Sequence, residues 1–124
     1  MSELIHDPLT GLMTPFYFYE SARRLQAWAS RREQPLALIS IKLSGLSEDE
    51  ITRCAHELTE ELRGGDLLAR IGREAFALLL LGDLTGANHL IFRLENKIKP
   101  RLDFNATQIQ SDETLVTALE RLEI

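Results

Sequence analysis

The chain has 124 residues, 44% of them hydrophobic, which is enough for one compact domain with a two-layer core and too little for two independent ones. A formal net charge of -5, from 14 Lys and Arg against 19 Asp and Glu, argues against generic nucleic-acid binding through a cationic surface. The longest apolar run, Ala75 to Leu81, falls far short of the roughly 20 residues a membrane span needs, and Met1-Ser2-Glu3 starts no basic-then-apolar leader, so a cytoplasmic protein without membrane insertion is expected.

Thr14-Pro15 predicts a helix start, with Thr14 as N-cap and Pro15 in the first turn, where a missing N–H costs nothing. The helix should run to about Arg32 with Phe18, Ala22, Leu25 and Ala29 as its apolar stripe. The Phe16-Tyr17-Phe18-Tyr19 cluster, with Trp28, exceeds what one helix face buries, which points to a partner surface or to packing of the N-terminal segment. Leu36 to Leu43 reads as a buried strand ended by Ser44-Gly45. Ser47 followed by Glu50 is a capping-box pattern, placing a second helix over about Glu48 to Leu62 with Ile51, Cys54, Ala55, Leu58 and Leu62 inward. The single cysteine, Cys54, lies on that apolar stripe and can form neither an internal disulfide nor a thiolate metal cluster.

Gly64-Gly65 stops the second helix, and two apolar segments, Leu67 to Ile71 and Ala75 to Leu81, flank Gly72-Arg73-Glu74 as an antiparallel hairpin. A third helix is expected from about Thr85 to Lys99, ended by Pro100, with Lys97 and Lys99 at the favourable end of its dipole. Leu102 to Ile109 is a weaker strand pattern because it carries Asp103, Asn105 and Gln108, and Asp112 is placed to cap a last helix reaching Leu122. After the first helix the order is strand, helix, strand, strand, helix, strand. That order predicts an α+β, ferredoxin-like βαββαβ core with helices on one sheet face, plus an extra N-terminal helix and an abbreviated C-terminal region. His6, His56 and His89 sit in separate segments and suggest no zinc site; no metal or cofactor is expected.

Three segments in this order carry a resemblance: Asp7-Pro8-Leu9-Thr10-Gly11-Leu12 before the first helix, Pro35-Leu36-Ala37-Leu38 opening the first strand, and Asp66-Leu67-Leu68-Ala69-Arg70-Ile71-Gly72 leading into the hairpin. Together they resemble the GGDEF, or diguanylate cyclase, domain family from Asp7 to about Ile98. In active members of that family two divalent cations hold a triphosphate, bound by acidic residues at the first strand's end and in the signature hairpin. Lys42 and Ser44 align with the two strand-end aspartates, and a protonated ammonium has no lone pair to offer a metal. The signature itself reads Gly72-Arg73-Glu74-Ala75-Phe76: Arg73 adds bulk where a glycine is usual, and Ala75 can neither bind metal nor move a proton. Only Gly45, Leu46 and Ser47 precede the second helix, so the family's substrate-holding turn is missing as well. The resemblance therefore implies a degenerate domain without diguanylate cyclase activity.

What the resemblance retains is an Arg-x-x-Asp pair, Arg63 and Asp66, matching the family's inhibitory site for cyclic di-GMP. Arg63 can present its guanidinium fork to guanine O6 and N7 or to phosphate, and Asp66 can accept from guanine N1–H and the amino group. Arg93, in the following helix, aligns with a basic residue that completes the site in relatives. A helix-end salt bridge between Arg63 and Asp66, with Arg93 paired to Glu95 or Asp66, is the structural alternative. Arg70 reads primarily as structural. The expectation is a catalytically inactive cyclic di-GMP receptor acting on a protein partner; a ligand-independent interaction scaffold and a weak GTP binder or residual cyclase are the alternatives. An intercalated ligand pair, which bridges protomers in the family, leaves a homodimer open. An early Met1 before the Asp7 motif suggests a stand-alone protein, although a domain cut from a larger regulator would look the same.

Overall fold

Strand β1, Leu36–Lys42, is buried at its first six positions, and burial on both of its faces decides the architecture. The computed structural model describes residues 5–122. Their elements follow in the order α1 (Pro15–Arg31), β1, α2 (Glu48–Glu60), β2 (Leu67–Gly72), β3 (Ala75–Leu81), α3 (Leu84–Lys97), β4 (Asp103–Gln108) and α4 (Leu115–Leu122). The strands form one sheet in the order β2-β3-β1-β4, antiparallel at every junction, which is the ferredoxin-like topology expected from the element order. β1 runs down its centre, with Leu36 opposite Leu81 on β3 and Ala37 opposite Gln108 on β4.

Alternation along β1 sends Ala37, Ile39 and Ile41 toward α2 and α3, where they meet Ile51, Cys54, Ala55, Leu58, Leu90 and Leu94. Leu36 and Leu38 point the other way, onto Phe18, Ala22 and Ala29 of α1 and Leu115, Ala118 and Leu119 of α4. Helices therefore cover both sheet faces, which corrects the expectation of a single covered face. The physical reason is visible in Leu36-Ala37-Leu38-Ile39, where apolar residues do not alternate with polar ones; a strand wet on one face would. The first and last helices are the second layer of the core.

Local signals explain most element ends. Ser47 Oγ accepts from the Glu50 amide at 3.2 Å while Glu50 Oε1 accepts from the Ser47 amide at 2.9 Å, completing the capping box. Asp83 caps α3 by accepting from the Gly86 amide at 2.8 Å. Thr14 holds the N-cap position of α1 with extended backbone, but its side chain makes no capping bond and its hydroxyl instead donates to the Ile5 carbonyl at 3.4 Å. α4 starts at Leu115 and takes its cap from Thr114, whose Oγ1 accepts from the Thr117 amide at 3.1 Å, rather than from Asp112. α3 stops at Lys97, short of Lys99, because Pro100 disfavours helical geometry in the residue before it and Ile98 turns extended into the core.

The aromatic cluster divides as one helix face requires: Phe18 is fully buried, Phe16 is 75% exposed, and Trp28 packs at the edge of the second layer beneath the Arg32 guanidinium. Truncating Phe18 removes a ring packed against β1 and leaves a cavity. Phe18→Ala is expected to lower unfolding free energy by roughly 3–5 kcal/mol in urea denaturation, against a change within about 0.5 kcal/mol for Phe16→Ala.

Candidate functional site

The loop between α2 and β2 is built around one carboxylate. Asp66 Oδ2 accepts from the Arg63 amide at 3.1 Å, its own amide donates to the Arg63 carbonyl at 3.1 Å, and Oδ1 accepts from the Leu81 amide at 3.1 Å. Asp66 thus folds the loop on itself and pins it to the end of β3. Neither Gly64 nor Gly65 has positive φ, and a Cβ at Gly65 would only touch the Leu81 side chain at 3.5 Å, so these glycines matter for openness more than for backbone conformation. The Arg63 side chain is exposed and makes no ion pair or hydrogen bond among the described residues. The Arg63–Asp66 salt bridge is therefore not formed; the carboxylate engages backbone amides instead.

Arg63 and Asp66 line a cleft of about 410 Å³ together with Arg93, His89 and Glu61. The structure thus brings together all three residues singled out in the sequence. Arg93 pairs with neither Glu95 nor Asp66: its Nε lies 3.8 Å from Glu61 Oε1, and Lys97 Nζ lies 2.5 Å from Glu61 Oε2. The Lys97 hydrogen bond, the largest influence on Glu61, holds its carboxyl below its ordinary value against opposing desolvation. Sequence reasoning missed Glu61 and His89. His89 was legible in principle, since it precedes Arg93 by four residues and so shares its helix face; Glu61 was not, because its partners lie on another helix.

At the opposite end of β3 the chemistry differs. Lys42 is exposed at the end of β1, aligned with Ala75 on one side and Asp103 on the other. Arg73 and Glu74 form the exposed turn between the paired residues Gly72 and Ala75, and the Glu74 carbonyl accepts from the Leu43 amide at 2.9 Å. Gly45, at φ +80°, turns the chain from β1 into α2, a conformation that favours glycine. Among the described residues no three His, Cys, Asp or Glu side chains gather as a metal site. His6 meets the Tyr17 ring edge-on and His56 lies 3.3 Å from Glu60, well apart in the chain from His89 in the cleft. Burial, foremost, pushes the Cys54 thiol above its ordinary value.

The Asp7-Pro8-Leu9-Thr10-Gly11 motif is a closed turn. Asp7 Oδ2 accepts from both the amide and the hydroxyl of Thr10 at 2.8 Å, and Gly11 at φ +77° lets the chain double back so that the Asp7 amide reaches the Leu12 carbonyl at 2.7 Å. Arg70 Nη1 approaches the same carboxylate at 3.3 Å while Nη2 donates to the Arg73 carbonyl at 2.7 Å. One guanidinium thereby ties the N-terminal turn to the hairpin turn, a positioning role. Met13 continues the connection by bridging to Ala69 on β2.

Three solved structures illustrate what this arrangement resembles. The GGDEF domain of DgcB from Caulobacter crescentus, in complex with c-di-GMP, superposes with a TM-score of 0.87 at 14% identity, over 96% of this chain and 83% of that one. A microbial GGDEF domain studied for its interaction with bis-cyclic di-GMP gives 0.86 at 14% identity, over 98% and 86%. The diguanylate cyclase SiaD from Pseudomonas aeruginosa, in complex with its activator SiaC, gives 0.86 at 23% identity over 96% of this chain, which spans only 55% of that one. The chain has the GGDEF-domain fold. No protein-family model and no curated protein matches the sequence, so at these identities the likeness is one of architecture.

Within that fold Asp7 gives a pH signature. Burial raises its pKa, but the Thr10 hydrogen bonds and Arg70 outweigh it and leave the carboxyl below its ordinary value of 3.8. A folded-state pKa below the unfolded one contributes stability that is present above the unfolded pKa and is lost as pH falls through the folded one. Wild-type protein is therefore expected to lose stability below about pH 4 more steeply than Asp7→Asn, measured by urea midpoints across an acid series.

Proposed function

We propose that this chain is a cyclic di-GMP receptor without cyclase activity, whose ligand controls contact with a protein partner. The observation that carries the reading is the convergence of Arg63, Asp66 and Arg93 on one cleft, with the Arg63 guanidinium uncommitted. Its volume of about 410 Å³ is in the range of small-molecule sites. Two amides occupy part of the Asp66 carboxylate, yet each oxygen keeps a lone pair for a guanine N1–H or amino group. Arg63 and Arg93 then supply forked donors to guanine O6 and N7 or to phosphate. Glu61 must yield Arg93 for this to happen, and Lys97 is beside it to keep the released carboxylate paired.

Lack of catalysis follows from residue chemistry at the other end of the sheet. Lys42, Ser44 and Ala75 stand where the family resemblance implies metal-binding acids, and a cation at Lys42 repels the Mg²⁺ that phosphoryl transfer requires. Support for the ligand comes from two neighbours of the same fold whose structures concern cyclic di-GMP. Support for a partner comes from SiaD, which is seen with a protein activator, and from Phe92, 68% exposed and adjacent in sequence to Arg93.

Calorimetry with cyclic di-GMP tests the binding claim. Saturable heat is expected, and Arg63→Ala should weaken affinity about 10- to 100-fold, the cost of a charge-assisted contact or two. No heat at roughly hundreds of micromolar ligand, with Arg63→Ala behaving as wild type, would sink the receptor reading and leave an interaction scaffold. The catalytic claim has its own assay: incubation with GTP and Mg²⁺ should yield no cyclic product, and product that disappears in Glu74→Gln would contradict it.

A further inference from the structure

The sheet has two edges, and the chain treats them differently. β2 is covered: the Met13 amide donates to the Leu68 carbonyl at 3.3 Å, the Arg70 amide donates to the Met13 carbonyl at 3.0 Å, and a register shift between Arg70 and Gly72 bends the strand. These are standard protections against edge-to-edge pairing. β4 has none of them. Its register with β1 is unbroken from Asp103 to Gln108, and the sequence Asp103-Phe104-Asn105-Ala106-Thr107-Gln108 holds no Pro and no Lys.

The Ile109 amide donates to the Leu36 carbonyl at 2.9 Å, which sets the phase of the β1–β4 ladder. Antiparallel alternation then turns the backbone groups of residues 103, 105 and 107 toward β1 and those of Phe104, Ala106 and Gln108 outward. The edge is not enclosed: no residue of β4 is buried, and Asp103 and Asn105 are exposed. Of these groups only the Gln108 carbonyl has partners in the described residues, the Arg121 and Gln110 side chains at 3.3 and 3.4 Å. A carbonyl has two lone pairs, so long contacts of this kind can give way to a backbone donor.

We propose that this edge pairs with the same edge of a second copy, joining two sheets across a two-fold axis at Ala106. In that register Ala106 of each copy exchanges both backbone bonds with its counterpart, and Phe104 exchanges with Gln108 in both directions. The facing side chains suit one another: Ala106 meets Ala106, Phe104 meets Gln108, Asn105 meets Thr107, and Asp103 meets Ile109, so no like charges are opposed. A foreign strand would satisfy the backbone equally; the self-complementary side-chain pattern is what favours a second copy. The pairing does not depend on ligand in the Arg63 cleft, so failure of cyclic di-GMP binding would leave it standing.

Sedimentation velocity on the full chain without nucleotide should show a monomer–dimer equilibrium with dimer prominent by roughly 100 µM. Ala106→Pro removes an outward N–H and spares the β1 ladder, so it should weaken association at least about tenfold. A fold-preserving companion is Ala106→Cys. Across the two-fold its Cα atoms would sit ~5.5 Å apart, within disulfide reach, whereas the more exposed Asn105→Cys would face Thr107 and lie beyond ~7 Å from its counterpart. Mild oxidation should therefore cross-link Ala106→Cys selectively, with buried Cys54 silent. A monomer throughout, an Ala106→Pro protein that dimerises like wild type, or equal cross-linking of the two cysteine variants would overturn the proposal.

Discussion

Burial of β1 on both faces is the constraint on which the rest of the structure depends. β1 lies between β3 and β4 and carries apolar side chains toward α2 and α3 on one face and toward α1 and α4 on the other. Its backbone needs a partner on each side, because unpaired amides are expensive away from water. Those partners set the register, with Lys42 reaching the end of the sheet opposite Ala75 and Asp103. The cleft at the other end takes its geometry from the pairing of β2 with β3. Asp66 reaches the Leu81 amide because it directly precedes β2, whose Leu67 pairs with Leu79 on β3.

The two ends of the sheet have consequently separate chemistry. At one end, Arg70 links the Asp7 turn to the Arg73 carbonyl and holds a hairpin whose exposed residues are an arginine and a glutamate. At the other, a short loop pinned by Asp66 leaves Arg63 uncommitted beside Arg93. Lys42 and Ala75 touch neither the Asp66 hydrogen bonds nor the Arg93–Glu61 pair, so a change at one end of the sheet need not disturb the other. Glu61 adds a feature internal to the cleft: it pairs with Arg93 and Lys97 and so places negative charge between the two cations. Any anion that binds there competes with a carboxylate already in place.

Much of the fold was legible along the chain because its signals are local. The Ser47–Glu50 capping box, the apolar stripe of α2, the bounds of β3 and the antiparallel β2–β3 hairpin all rest on interactions within a few residues. The errors were also physical. Asp112 looked like a cap, but the Thr114 hydroxyl reaches the Thr117 amide; several nearby residues could do the same job, and sequence alone does not choose between them. The second helical layer was assigned to peripheral additions because nothing local says which face of a sheet a distant helix will cover. The unbroken apolar run of β1 was the available clue.

By itself the sequence determined which segments are helical, which are extended, and which chemical groups are present: a guanidinium and a carboxylate three residues apart, a lysine at the end of the first strand and an alanine after the hairpin turn. Propensity, capping and side-chain chemistry are properties of the residue and its near neighbours. Only the tertiary structure decided that Asp66 binds backbone amides and leaves Arg63 unpaired, that Arg93 meets Glu61, and that His89 shares their cleft. Those contacts join α2, the loop after it, β3 and α3, and their lengths depend on how the sheet and its helices pack. No spacing along the chain carries that information.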